Sequence, residues 1–360
     1  MIEIIDITQA ERWDNIVKGF TMHDVYYLSG YVRPFMLHGD GNPKLLYYES
    51  EGLRAIYVFM LRPTDIAELY DSTTPYGYGG ILFEGDTCYD HVEAFWKEYA
   101  SAMIEIGVVD DFVRYHPVLQ NAEPLRPFSN IMDLGKTIAL DLSSPEVIWE
   151  NLTSKKRGKI RKAEKNGIQV LHGQGFELFE QFIPIYNTTM KKDAATDYYF
   201  FEKPFYEAIY EGLRGNYEMF YAMLDDKVVM MAIMLYCNGQ MHYHLSGSLL
   251  EYRHFEANNL LLYKAALWGC DHGLKSLHLG GGVGSGNDPL FEFKKGFNRN
   301  DDCQFSIGRQ VFDEDGYRRL ISKRKEIDMK FDETTQFFPA YRANTHEVNG
   351  VGNNYVAQAA

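Results

Sequence analysis

The sequence has few cysteines. Four occur in 360 residues (Cys88, Cys237, Cys270 and Cys303), far apart and without a C-x-x-C pair. This spacing argues against a disulfide framework, and no cluster of His, Cys and Asp shows metal-ligand spacing. We therefore predict buried thiols, a reducing compartment and no bound metal.

Long apolar runs and an excess of positive charge are also lacking. No run approaches the roughly 20 residues of a membrane span, and the first residues, with Glu3 and Asp6, show no signal-peptide pattern. We therefore expect a cytoplasmic protein without a membrane span. The formal net charge of −14 argues against DNA binding and limits any RNA contact to a local patch.

What is present is typical of a soluble globular protein, with 46% hydrophobic and 24% charged residues. Residues 1–140 show the order hairpin, helix, strand, and near residue 140 the chain begins again. Three strands then follow at 217–224, 227–236 and 240–245, joined at Asp225-Asp226 and Asn238-Gly239, before a helix and a strand at 276–279. The repeated order predicts an α/β (α+β) fold of two lobes, residues 1–140 and 141–312. Residues 331–360 are polar and aperiodic and predict a loosely held tail.

The stretch 277–298 is the first candidate for chemistry. Five glycines lie within seven residues, Gly280, Gly281, Gly282, Gly284 and Gly286, and Asn287-Asp288-Pro289 predicts a helix start. The helix carries Lys294 and Lys295 among phenylalanines, where an ammonium could meet an anionic group. The alternative is a surface loop followed by a helix whose lysines reach into solvent.

The segment 154–165 is strongly basic. Seven basic side chains oppose one acid, Glu164, for a local charge of +6, and leave Leu152, Ile160 and Ala163 as a thin apolar stripe. Such a helix is either a solvated face or a surface that binds phosphate, from a nucleotide diphosphate or an RNA acceptor stem.

Four strings carry a resemblance to a known family. They are L-F-x-F-K-K-G-F-N at 290–298, K-x-R-x-x-I-R-K-A-x-K-x-G-I at 155–168, Y-D-x-x-x-P-Y-G-Y-G-G at 70–80 and R-Y-H-P at 114–117. Over about residues 40–310 the chain resembles the Fem-type peptidoglycan-bridge aminoacyltransferases. It is equally similar to the FemAB-like proteins of the GNAT acyltransferase superfamily.

The resemblance implies tandem GNAT-like lobes, each a mixed, largely antiparallel sheet flanked by helices, with a helix at 313–330 that packs back on the first lobe. It implies an acyltransferase that moves an aminoacyl or acyl group onto an amine of a small molecule or peptidoglycan precursor. Aminoacyl-tRNA is the expected donor, with its acceptor stem as a partner, and no cofactor is tightly bound. The alternatives are an N-acetyltransferase that uses acetyl-CoA, with acyl-CoA as co-substrate, and a non-catalytic module that binds phosphate or RNA.

The resemblance also implies roles for single residues. Lys294 would stabilise the charge of the transition state or the tRNA terminus, with Phe293 behind it. His244, which shares a strand with His242, is a further catalytic candidate, although a histidine on a strand is often a core residue. The candidate substrate-binding residues are Lys155, Arg157, Lys159, Arg161, Tyr76, Tyr78, Tyr243, Arg253, Gly281, Gly282 and Asp288; for Asp288 a helix cap is the alternative.

Two stretches depart from the family patterns. The pyrophosphate loop of acetyl-CoA enzymes, [QR]-x-x-G-x-[GA], corresponds to residues 252–260, where Arg253 is present but Phe255, Glu256 and Ala257 replace the glycines. The Glu256 carboxylate would repel a pyrophosphate there. The loop 193–199 lacks the glycine and arginine with which many Fem enzymes handle a sugar nucleotide, which weakens the case for a UDP-linked acceptor.

Overall fold

The computed structural model describes residues 1–283, 286, 288–300 and 302–343. Gly284 of the predicted glycine loop, Asn287 of the predicted helix start and residues 344–360 of the predicted tail lie outside these ranges. The chain forms two compact units: of the described residues, unit 1 contains Met1–Gly135 and 304–343, and unit 2 contains Lys136–Cys303. Residues 304–312, which the sequence predicts in the second lobe, group with unit 1.

Strands and helices alternate along both units. The strands are β1 (Ile2–Asp6), β2 (Asn42–Ser50), β3 (Leu53–Pro63), β4 (Tyr70–Thr73), β5 (Leu82–Gly85), β6 (Val108–Arg114), β7 (Asn130–Asp141), β8 (Gln169–Gly173), β9 (Tyr217–Leu224), β10 (Lys227–Cys237), β11 (Gln240–Ser248), β12 (Ser276–Gly280) and β13 (Cys303–Val311). The helices are α1 (Ala10–Lys18), α2 (Ser29–His38), α3 (Tyr89–Glu105), α4 (Pro145–Asn151), α5 (Ser154–Lys165), α6 (Phe176–Lys192), α7 (Lys203–Gly212), α8 (Ala257–Asp271), α9 (Pro289–Lys295) and α10 (Glu314–Ile327). The predicted mixed α/β fold, with largely antiparallel sheets flanked by helices, is confirmed.

Unit 1 is built on a mixed sheet. β1, β2, β3 and β4 pair antiparallel in that order, β4 pairs parallel with β6, and β13 pairs antiparallel with β6. The pairing of β13 with β6 explains why residues after 303 group with unit 1. Helix α3 buries Val92, Phe95, Tyr99 and Met103 against this sheet, because these positions recur at helical spacing.

The C-terminal segment of unit 1 corrects the prediction of a loose tail, as far as residue 343. Tyr341 is buried, and its hydroxyl donates to Asp110 Oδ2 at 2.6 Å and to Asp71 Oδ2 at 3.2 Å. Arg342 bonds to Asp71 as well, and to the Pro63 carbonyl oxygen at 2.7 Å. Residues 340–342 are therefore anchored to buried carboxylates on β4 and β6.

Unit 2 has the strand order β7, β12, β11, β10, β9, β8. Only the β11–β12 pair is parallel among these, and both predicted hairpin turns are confirmed, since Leu224 pairs with Lys227 and Cys237 with Gln240. The pairing of β10 with β11 shifts register at His244, which makes that residue the extra one of a β-bulge. Bulges interrupt the side-chain alternation of a strand and are common next to active sites.

The core of unit 2 joins its sheet to α5 and α8. The predicted apolar stripe of α5 is buried, with Leu152, Ile160 and Ala163 fully inaccessible to solvent. Helix α8 covers the sheet with an almost entirely apolar surface. Among the helices of the described ranges, none combines the length and apolar character needed to cross a membrane.

Candidate active site

Lys294 is buried at the glycine loop of unit 2. Its side chain is 1% exposed, and its Nζ donates to the Gly281 carbonyl oxygen at 2.7 Å. Burial lowers the pKa of Lys294 to about 7, and the nearby Asp288 carboxylate acts in the opposite direction. An ammonium that meets a neutral carbonyl in a dry environment is poised to lose or keep its proton near neutral pH. The neighbouring Lys295 is half-buried and lies 3.4 Å from Asp302 instead.

Asp288 shapes the loop that Lys294 contacts. Its carboxylate accepts from Phe291 N at 2.7 Å, which caps α9, and from Val283 N at 2.6 Å, which ties the loop to the helix. A Cβ on Gly282 would collide with this carboxylate, and a Cβ on Gly281 would lie 3.0 Å from the Lys136 carbonyl oxygen. In this structure Asp288, Gly281 and Gly282 fix the backbone around Lys294.

Lys156 is a second buried lysine, which the sequence analysis did not single out. Its Nζ donates to Asn259 Oδ1 at 2.9 Å and lies 3.3 Å from the ring centroid of Phe293 and 4.1 Å from that of Phe297. Burial lowers the pKa of Lys156 to about 6, with a smaller contribution from the charge of Lys159. The ring faces oppose this shift, since they attract a cation. The ring face of Phe293 thus covers Lys156, while its role behind Lys294 stays a prediction.

A cavity of about 240 Å³ lies beside this cluster. It is lined by residues of α5, β10, β11, α8 and α9, among them Phe293, Asn259, Lys159 and Arg253. Glu256, which precedes α8 with a left-handed φ of 64°, also lines it. The Glu256 carboxylate accepts from Asn259 Nδ2 at 2.8 Å and from Lys159 Nζ at 3.1 Å. The start of α8 is thus already supplied with a negative charge by the chain itself.

The basic helix α5 divides into engaged and exposed side chains. Arg157 donates to the carbonyl oxygens of Leu152 at 2.9 Å and Trp149 at 3.3 Å, so it closes the turn between α4 and α5. Arg161 is exposed, with its guanidinium over the Trp149 ring at 5.2 Å. Lys155 is exposed. Of the four predicted phosphate-binding bases, Arg157 and Lys159 have structural partners that their spacing did not predict.

His242 and His244 of unit 2 are buried. His242 stands opposite His278 of β12, with ring centroids 5.7 Å apart, and His278 Nε2 lies 2.9 Å from Thr137 Oγ1. Burial and the neighbouring His242 lower the pKa of His244 to about 3, so His244 is neutral at physiological pH. Tyr243, between them, donates to Ser246 Oγ at 2.5 Å, and burial raises the pKa of its hydroxyl to about 12.

The predicted tyrosine loop of unit 1 is packed into an aromatic cluster. Tyr76 stacks on Phe35 with centroids 5.3 Å apart, and its carbonyl oxygen accepts from Tyr31 at 2.6 Å. Tyr78 meets Tyr26 edge to face at 5.8 Å. Within unit 1, therefore, both side chains contribute to packing.

One group of residues with metal-ligand chemistry escaped the sequence analysis. Asp86, Cys88 and His91 place one ligand atom each within 4.8 Å of one another in unit 1; Asp86 and Cys88 are exposed residues before α3, and half-buried His91 lies in its first turn. Their D-x-C-x-x-H spacing was the sequence signal for this group.

The burial of Lys156 also had a sequence signal. Lys156 lies four residues after Leu152 and four before Ile160, on the apolar stripe of α5.

Comparison with known sequences identifies the domain at this site. Residues 152–295 match the sequence model of the acetyltransferase (GNAT) domain. The match contains α5, Glu256, the glycine loop and Lys294. A search of curated protein sequences gives no significant match.

Solved structures extend the likeness over most of the chain. The crystal structure of FemX matches with a TM-score of 0.68 and 13% identity, over 88% of this chain and 99% of that one. The C-terminal domain of a putative lysylphosphatidylglycerol synthetase from Agrobacterium fabrum matches with a TM-score of 0.57 and 12% identity, over 89% and 96%. L-PGS from Bacillus licheniformis matches with a TM-score of 0.51 and 14% identity, over 77% and 86%. At these identities the likeness concerns the fold.

Proposed function

Because the chain is an acyltransferase of the GNAT superfamily with a FemAB-like fold, we propose that it transfers an aminoacyl or acyl group to an amine and that Lys294 stabilises the charge formed during transfer. The observation that carries this proposal is the buried Lys294 ammonium on the Gly281 carbonyl oxygen. The same lysine is singled out by the L-F-x-F-K-K-G-F-N string.

The chemistry requires a cation or N–H donor at this kind of position. When an amine attacks an activated ester or thioester, the carbonyl oxygen becomes an oxyanion and the amine must lose a proton. A buried ammonium stabilises an oxyanion strongly, because water does not screen the interaction. The protonated form of Lys294 prevails below its pKa of about 7, so this contribution should weaken as the pH rises further.

The donor we propose is an aminoacyl-tRNA, which also implies a cytoplasmic reaction. Glu256 supports this choice, since its carboxylate stands at the start of α8, where GNAT enzymes that use acyl-CoA hold a pyrophosphate. The exposed bases of α5, Lys155 and Arg161, would contact phosphates of the acceptor stem. For the acceptor, the likeness to FemX supports an amine of a peptidoglycan precursor or a related small molecule.

A second candidate is an N-acetyltransferase that uses acetyl-CoA. The description of the matched domain and the cavity lined by Arg253 at the start of α8 favour it. For this function Glu256 would have to leave Lys159 and Asn259 when the pyrophosphate binds.

A transfer assay separates these functions. The purified protein would receive bulk tRNA charged with radiolabelled amino acids or, in parallel, radiolabelled acetyl-CoA. The acceptors would be simple amines and a UDP-linked muramoyl pentapeptide. We expect label to pass from tRNA to an amine, to be lost in Lys294→Met and to be retained in Lys295→Met. Transfer from acetyl-CoA alone would establish the second candidate, and transfer from neither donor would contradict both.

A further inference from the structure

Lys156 lies where three helices of unit 2 meet. It belongs to α5, its ammonium bonds to Asn259 of α8, and the rings of Phe293 and Phe297 from α9 and its C-terminal end cover it. Its aliphatic stem passes over Gly296, where an added Cβ would stand 2.7 Å from Lys156 Cε. The residue is 5% exposed.

The stability of the fold does not by itself call for a charge at this place. Lys156 faces an amide oxygen and two rings, and its charged neighbours stand further off: Glu256 favours its charged form, while Lys159 and Lys155 disfavour it. Burying an amine without a direct carboxylate partner costs free energy, and an apolar side chain of similar length would pack there at lower cost. Local features that lower stability without structural gain mark functional positions.

The contacts of Lys156 fall on both sides of Lys294. Phe293 precedes Lys294, and Gly296 and Phe297 follow it within one helical turn. Helix α9 has seven residues, too few to be held in place by its own hydrogen bonds. Its C-terminal end is fixed further by Gly296, whose carbonyl oxygen accepts from Thr153 N at 3.0 Å. The attachment of α9 to α5 and α8 therefore determines where the Lys294 ammonium stands.

We propose that Lys156 is a positioning residue for acyl transfer, which holds α9, and with it Lys294, by joining Asn259 to the ring faces of Phe293 and Phe297. The inference rests on the proposed function of Lys294 but concerns a different residue. Lys156 stands behind Phe293 and Asn259, which line the cavity, and it acts through them rather than on the substrate.

The first test is Lys156→Met, which keeps the length of the side chain and removes its donor and charge. With the donor and acceptor found in the transfer assay, we expect kcat to fall roughly 10- to 100-fold, as for other misplaced catalytic groups, while KM changes less than about twofold. The melting temperature should stay at the wild-type value or rise. The control is Lys264→Met, which removes a half-exposed lysine of α8 that lies 3.9 Å from Glu164. This variant should change neither kcat nor the melting temperature. An unchanged kcat in Lys156→Met would overturn the proposal, as would a kcat that falls only in step with the melting temperature.

A second measurement does not depend on activity. The rate at which an amine-reactive ester modifies Lys294, read by peptide mass spectrometry, should rise on the order of tenfold in Lys156→Met, because α9 opens more often. If the wild type transfers nothing, the proposed function fails and this rate alone decides on the positioning role. Gly296→Ala, which displaces the Lys156 stem at an unstrained φ of −62°, should change the rate in the same direction and replaces Lys156→Met if that variant does not fold. Equal labelling rates in wild type and variant would overturn the inference.

Discussion

Buried charged side chains in the two units have different kinds of partner. In unit 1 the buried carboxylate of Asp71 contacts Arg342 and, at 2.5 Å, Arg62. In unit 2 the buried ammonium groups of Lys156 and Lys294 bond to an amide oxygen and a backbone carbonyl oxygen. Ion pairing thus accompanies burial in the first case, whereas in the second case the direct hydrogen-bond partners of the two ammonium groups are neutral.

The buried carboxylates of unit 1 form a structural hydrogen-bond network, whereas the two buried lysines of unit 2 can gain or lose a proton near neutral pH. Asp111 in unit 1 accepts from Tyr57, Tyr99 and Ser72 at 2.8, 2.6 and 2.7 Å, so its carboxylate is fully engaged in holding strands and α3 together. The two lysines have pKa values lowered to about 6 and 7, close to the pH at which a proton can be gained or lost. Groups poised in this way are concentrated in active sites.

The largest expected effect is on catalysis in unit 2. Lys294→Met should lower the turnover of acyl transfer by about 10²–10³, roughly 3–4 kcal/mol, since a preorganised oxyanion donor is lost. Thermal unfolding should remain near the wild-type temperature, because methionine fills the same space. Lys295→Met, one residue away beside Asp302, is the matched control and should do much less. A larger loss of turnover in Lys295→Met than in Lys294→Met would mean that Lys295, and not Lys294, faces the substrate.

The next largest effect is on the stability of unit 1. Asp71→Asn leaves Arg62 and Arg342 without their carboxylate, so the free energy of unfolding in urea should fall by about 3 kcal/mol.

Asp110→Asn should have the opposite effect on the free energy of unfolding. Burial, then the nearby Asp71, raises the pKa of Asp110 well above its usual range, and Oδ1 of Asp110 has no hydrogen-bond partner among the described residues.

The pH dependence of Asp110→Asn has a definite sign. The folded protein keeps the Asp110 proton above the ordinary pKa of a carboxyl, where the unfolded chain has released it, so stability falls as the pH rises through that window. Asparagine cannot lose this proton. The variant should therefore be more stable than wild type at pH 7.5, by about 1 kcal/mol or more, and gain less at pH 4.5. A constant difference between the two pH values would contradict this account of Asp110.

A smaller effect should follow from Glu256→Gln. Removing the carboxylate at the start of α8 should strengthen acetyl-CoA binding about tenfold, roughly 1.4 kcal/mol, because repulsion of the pyrophosphate is lost. In the wild type, calorimetry should show no binding tighter than about millimolar, roughly −4 kcal/mol. Micromolar affinity in the wild type would favour the acetyl-CoA function instead.

The smallest effect on folding is expected on the exposed face of α5. The double variant Lys155→Glu/Arg161→Glu should change the free energy of unfolding by only ~0–1 kcal/mol, since exposed charges contribute little. Its affinity for the proposed aminoacyl-tRNA donor, measured by fluorescence titration at two salt concentrations, should be lower than that of the wild type. Full affinity at both concentrations would show that these bases are a solvated surface.

Local patterns predicted much of this structure. Asn238-Gly239 and Asp225-Asp226 formed the expected turns because hairpin residues act over a few positions. The family string singles out Lys294 but does not distinguish a buried lysine from one that reaches into solvent, and in the structure this lysine is buried. The pairing of β13 with β6 could not be predicted in this way, since it joins residues almost two hundred positions apart. The anchoring of Tyr341 to Asp110 is equally remote.

The basic helix shows why partners are harder to predict than positions. The number of basic residues in α5 predicts a single basic surface. In the structure, however, Arg157 caps a turn, Lys159 pairs with Glu256 and Lys156 is buried. Arg157 finds its partners nearby, at Trp149 and Leu152, whereas the partners of Lys159 and Lys156 lie about a hundred residues or more further along the chain. The D-x-C-x-x-H spacing and the position of Lys156 on the apolar stripe can both be seen in the sequence. The sequence does not show, however, which side chains these residues contact in the folded chain.

Titration of the buried lysines tests the central claim most directly. With ¹³Cε-labelled lysine, NMR spectra recorded from pH 5 to pH 11 report the protonation of each ammonium, and Lys156→Met and Lys294→Met assign the two resonances. The account predicts titration near pH 6 for Lys156 and near pH 7 for Lys294, well below the ordinary lysine pKa of about 10.4. Two resonances that titrate with the exposed lysines would contradict the claim that unit 2 holds its buried charges poised for proton exchange.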